Sequence, residues 1–93
     1  MNSNYLELVF HAGLGVKNQM RFVDAFKHFT NALDIYVKTG YNNSYFLSEI
    51  FWQRADVAIL LGYHDIASKD IGQAMKANAR ACCHPVSNLN AFC

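Results

Sequence analysis

Four side chains that could ligate zinc fall within the last twelve residues: Cys82, Cys83, His84 and Cys93. Thiolates with imidazole are a donor set this ion prefers, but two thiolates converge on one ion when two residues separate them, and Cys82 and Cys83 are adjacent. The expectation is no metal site, with the cysteines acting as small apolar residues at a helix end, open to oxidation. His11, His28, His64 and His84 are spread over separate segments, and no carboxylate is spaced to orient any of them for proton transfer. Neither a glycine-rich phosphate loop nor a G-x-S-x-G nucleophile turn occurs. The sequence therefore predicts no catalytic residue, no cofactor and no enzyme.

Composition narrows what remains. Of 93 residues, 53% are apolar and 16% charged, against about 25% charged in an average soluble domain. A single domain of this length has more apolar surface than a monomer comfortably hides, so some of it is expected to meet another protein, or a second copy in a homodimer. The formal net charge is +1 with both signs interspersed, which predicts no nucleic-acid and no membrane partner. Three cysteines, an odd number crowded at one end, do not form the disulfide framework of a small secreted domain; a cytoplasmic or other reducing intracellular compartment is expected. The longest apolar run, Val57 to Leu61, is far short of the roughly 20 residues of a membrane span, and Met1 to Leu8 lacks a leader pattern. Asn42-Asn43-Ser44 matches a glycosylation sequon but reads as a polar turn and helix cap.

Any functional surface has to be positioned by helices, because apolar residues keep helical spacing throughout. The first helix opens at Asn4, with Glu7 placed to complete a capping box, and carries Leu6, Val9, Phe10, Gly13 and Val16 on one face. After Lys17-Asn18-Gln19 the phase restarts, and Phe22, Ala25, Phe26, Phe29, Ala32, Leu33 and Tyr36 form a second stripe. Its opposite face, with Asp24, Lys27, His28, Asn31, Asp34 and Lys38, reads as solvated, and Asp34 with Lys38 makes an i,i+4 pair. Gly40 suits a left-handed cap and Asn43 or Ser44 an N-cap. A third helix bears Phe46, Leu47, Ile50, Phe51, Ala55, Ala58 and Ile59 and stops near Gly62. Asp65 is the expected cap of a fourth, carrying Ile66, Ala67, Ile71, Ala74 and Met75 and ended by Pro85.

A longer regularity overlies these stripes: Gly13, Ala25, Phe29 and Ala32 return as Ala55, Ala67, Ile71 and Ala74, each 42 residues later. A small residue late in one helix, then Ala, Phe and Ala at steps of four and three in the next, is similar to the tetratricopeptide repeat (TPR). The resemblance implies an all-α fold, four helices forming two stacked antiparallel hairpins of an α-solenoid. The domain would span residues 4–85, with one repeat at 5–40, a second at 44–84 and a flexible tail at 86–93. The chain departs from the family in having Ile71 where an aromatic is usual, no proline closing either hairpin, and a period longer than the usual length of about 34.

In that family the first helix of each hairpin lines a concave groove that holds partner peptides. By that resemblance the partner-binding residues are Glu7, Phe10, Leu14 and Lys17 from the first copy and Glu49, Trp52, Asp56 and Ile59 from the second, related by the same shift. With one base among them, carboxylate capture is not expected; an amphipathic or basic peptide or helix is, with Trp52 as anchor. The expected function is thus a protein–protein interaction module. The alternative is a structural or assembly protein that self-associates through apolar helix faces, as a homodimer or part of a longer array, using Ala77, Ala81 and Cys82 on the outer face of the last helix. The tail, with Leu89 and Phe92, is a further candidate to fill the groove.

Overall fold

Helical spacing becomes four helices: α1 (Ser3–Asn18), α2 (Phe22–Thr39), α3 (Ser44–Leu61) and α4 (His64–Ala81). The computed structural model describes residues 3–81, with side-chain surroundings over 5–79, and contains no strand among them. α1 begins at Ser3, so Asn4 stands inside the helix and does not open it; the cysteines, His84, Pro85 and the segment 86–93 lie outside the described residues, as do the expectations placed on them.

Local chemistry sets the breaks. Gly40 and Gly62 end α2 and α3 with φ of 69° and 83°, left-handed values that glycine adopts without a Cβ clash. Asn43 caps α3, its side-chain oxygen accepting from the Phe46 N–H at 3.0 Å, while its own N–H donates to the Tyr36 hydroxyl at 2.8 Å. At the α1–α2 turn the left-handed residue is Met20, φ 64°, with the paired closing bonds of a Schellman motif: Met20 N–H to the Lys17 carbonyl and Arg21 N–H to that of Val16. Gly62 and Tyr63 close α3 onto Ile59 and Ala58 in the same way. One expectation fails here. α4 begins at His64, so Asp65 is inside the first turn, where its charge meets the helix dipole, and it does not cap the helix.

α1 pairs with α2, α3 with α4, and the two hairpins join where α3 lies on α2. α1 reaches α3 only narrowly, and α4 approaches neither α1 nor α2. The helices therefore run as an open series, each packed mainly on its chain neighbours. Leu6, Val9, Phe10, Ala25, Phe29, Ala32, Ile50 and Val57 form the core. Gly13 marks a close approach of α1 to α2: a Cβ there would stand 2.6 Å from Phe29 Cε1. α3 buries Ser48, Ile50, Ala55, Val57 and Ala58 on more than one side, as a helix flanked by two others must. On α4 the buried residues are Ala67, Asp70, Ala74 and Ala77, and its exposed side holds Ser68, Lys69, Gly72, Gln73, Met75 and Lys76. Two further expectations are thereby corrected. Ala77 faces inward against α3, because its spacing continues the Ala67–Ala74 stripe, whereas Met75 is 57% exposed. Among the described residues the outward side of the last helix is mostly polar, interrupted by Gly72, Met75 and Ala79.

Candidate functional site

The spacing of α3 turns Trp52, Asp56 and Ile59 toward one side, and the packing of α4 brings Ile71 beside them. With Gln53 and Ala55 these residues line a cavity of about 270 Å³. Trp52 is 42% exposed and Ile59 49% exposed. The cavity has a structural origin in a difference between the hairpins. In α2, Phe29 is wholly buried and its ring fills the space over Gly13. At the corresponding places of the second hairpin stand Ala55 and the shorter, half-buried Ile71, and the cavity opens there.

Lys17, from the end of α1, crosses to this site. Its Nζ donates to Gln53 Oε1 at 2.7 Å and pairs with Asp56 Oδ2 at 2.6 Å. The acid of the cavity mouth is thus already neutralised from within the chain, and the same contact ties α1 to α3. Leu14 is half-buried against the core, Glu7 is exposed and Glu49 half-buried, and neither acid lines the cavity. Phe10 does not belong to any open face. At 6% exposure it is a core residue, with ring centroids 5.6 Å from Phe29 and 5.2 Å from Phe46. The physical reason is the α1 crossing: Gly13 lets the helix sit so close to α2 that the neighbouring turn is enclosed too.

A wider, more open depression of about 440 Å³ runs along α2, lined by Phe26, Lys27, Thr30, Asn31 and Asp34. All its lining comes from one helix, so it is the weaker candidate for gripping a ligand. Next to it lies a feature that spacing did not announce. Arg54 forms a two-pronged bridge to buried Asp70, Nε to Oδ2 at 2.7 Å and an Nη to Oδ1 at 2.8 Å. It also donates to Thr30 Oγ1 at 3.2 Å and lies 5.4 Å from the Phe26 ring centroid. One guanidinium therefore links α2, α3 and α4. The available signal was Asp70 itself, a carboxylate set on the apolar stripe of Ala67, Ile71 and Ala74.

Chemically the arrangement offers an apolar recess rimmed by an amide and a bridged acid, with no nucleophile beside a base. Among the described residues no group of His, Cys, Asp and Glu is gathered to hold a metal ion, and no helix is long and apolar enough to cross a membrane. Comparison of the chain with family models, with curated proteins and with solved structures finds no match.

Proposed function

We propose that this chain is a protein–protein interaction module of α-solenoid type, resembling tetratricopeptide repeats, which receives an apolar side chain of a partner peptide or helix in the cavity beside Trp52. The observation that carries the reading is that cavity: a partly exposed indole at the mouth of a recess walled by two helices. Its volume of about 270 Å³ is below the roughly 300–1,000 Å³ of small-molecule pockets. It suits a single anchoring side chain better than a cofactor. The open series of helices and the equal shift between them support the repeat reading, since α2 moved by 42 residues gives the bounds of α4. Asp56 being bridged by Lys17, selectivity for a basic residue falls to Glu7 and Glu49, neither of which has an ion-pair partner among the described residues.

Trp52 is the single tryptophan, so its emission reports on this site alone. The test is selection of helical peptides by display against the folded chain, followed by titration into the wild type, Trp52→Ala and Ile71→Phe. Loss of an anchor contact of about 2 kcal/mol predicts roughly 30-fold weaker binding to both variants, with unchanged helical circular dichroism. Selected peptides that bind both variants as tightly as the wild type would refute the site.

A further inference from the structure

The 42-residue correspondence assigns partners to two faces that the described residues leave uncovered. Where α3 lies on α2, Ile50 and Val57 are fully buried and Arg54 reaches Thr30 and Phe26. The residues at the same places on α1 are Leu8, Ala12 and Gly15, and all are exposed, Leu8 by 66%. The counterparts of Phe26, Thr30 and Leu33 on α4 are Ser68, Gly72 and Met75, again exposed. A Cβ added at Gly15 or Gly72 would meet nothing within 4 Å. Each outer helix thus repeats the form of one half of the α2–α3 interface and lacks the other half.

From this continuity we infer that α1 of a second copy docks on α4 of the first, as α3 docks on α2 within the chain, so that copies stack head to tail. The bulky trio Arg54, Thr30 and Phe26 becomes Ala12, Gly72 and Ser68, small on both sides, which permits closer helix approach than inside the chain. Charge also agrees. In the antiparallel register marked by Arg54 and Thr30, Glu49 comes within one residue of the level of Asp34, a like-charged pair of positions. Their counterparts across the new interface are Glu7 and Lys76, opposite in sign, exposed and without an ion-pair partner among the described residues. Because the two surfaces differ, the contact is heterologous and each added copy presents a free α1 and a free α4. Glu7 figures in both readings, but neither face includes Trp52 or its cavity, so the Trp52 and Ile71 variants test the peptide-binding reading while Leu8 and Gly72 test this one, and each can fail alone.

The test is light scattering of the full chain under reducing conditions over a concentration series. The expected result is a mass that rises from the 10.5 kDa monomer through successive multiples. Leu8→Arg spoils only the α1 face and Gly72→Arg only the α4 face. Each alone is expected to stay monomeric, while their mixture gives a one-to-one dimer and nothing larger. Glu7→Lys is expected to weaken stacking about tenfold and Lys76→Glu in the same chain to restore it, which guards against a misfolded arginine variant. A wild type monomeric at every concentration would overturn the inference, as would a dimer that Gly72→Arg leaves intact, since that signals a symmetric contact through α1. A monomer that begins to stack only when residues 82–93 are removed would also overturn it, by making the tail the occupant of the α4 face.

Discussion

Replacing Gly13 by alanine would place a methyl carbon 2.6 Å from Phe29 Cε1, 3.0 Å from Phe29 Cδ1 and 3.1 Å from His28 Cβ. Carbon atoms prefer about 3.5–4.0 Å, so the first of these contacts is deeply repulsive. The ring has little room to yield, since Phe29 is wholly buried and packs on Phe10. Overpacking of this kind costs about 1–3 kcal/mol. Alanine is also the better helix former by about 1 kcal/mol, which offsets part of the clash. The net expectation for Gly13→Ala is a loss of about 0–2 kcal/mol. Gly15, two residues on in the same helix, has nothing within 4 Å of the added methyl, so Gly15→Ala keeps the propensity gain of about 1 kcal/mol without the penalty.

The difference between the two variants isolates the steric contribution, about 1–3 kcal/mol, and separates their melting temperatures by about 4–24 °C in a domain of this size. Thermal and urea unfolding followed by helical circular dichroism measures it, at low protein concentration because Gly15 lies on the proposed stacking face. Equal stabilities for the two variants would refute the close α1–α2 approach on which the core argument rests. A second substitution sharpens the test. Phe29→Leu makes room for the methyl group, so it should cost at least about 0.5 kcal/mol less in the Gly13→Ala background than alone.

Other substitutions probe the remaining supports. Met20→Gly relieves a left-handed residue at the α1–α2 turn and should stabilise the chain by roughly 1 kcal/mol, read as a higher unfolding midpoint. Asp70→Ala strands the Arg54 guanidinium and should cost about 3–5 kcal/mol, whereas Arg54→Met combined with Asp70→Leu should recover most of that loss in the same urea titration. Asn43→Ala removes the oxygen that caps α3 and should cost about 1 kcal/mol, with no change in the denaturant slope.

What was legible in the sequence followed the strength of the local signal. Gly40, Asn43 and Gly62 announced their breaks because glycine and asparagine do there what few other residues can. Met20 performs the same role as Gly62 and could not be recognised, since a methionine carries no turn signal and is held left-handed by the closing bonds around it. The stripe of α2 was legible apart from Ile35, because its buried residues Ala25, Phe29 and Ala32 keep steps of four and three. α3 was only half legible, with Ser48 and Val57 unforeseen, because its buried residues do not share one stripe. Spacing placed Trp52, Asp56 and Ile59 on one side together. It could not show that Phe10 is enclosed by the neighbouring helices, nor that Lys17 and Asp56 would pair across 39 residues.

Set side by side at the 42-residue shift, the two hairpins fill matching positions differently, and the candidate site lies in that difference. The first hairpin combines glycine with phenylalanine, Gly13 under Phe29, and the ring consumes the room that the missing side chain leaves. The second combines alanine with isoleucine, Ala55 near Ile71, and the volume a phenyl ring would take becomes part of a cavity that Trp52 borders. Phe10 and Trp52 stand 42 residues apart with different surroundings: the first is enclosed by the rings of Phe29 and Phe46, and the second stays partly in solvent at the edge of the cavity. The buried Arg54–Asp70 bridge has no counterpart in the first hairpin, where Ala12 and His28 stand at those positions. Small apolar side chains alone would let α4 slide on α3, whereas a two-pronged bridge fixes its register by geometry. The polar clamp and the apolar recess thus belong to the same hairpin, with the clamp holding α4 in the register that places Ile71 at the cavity.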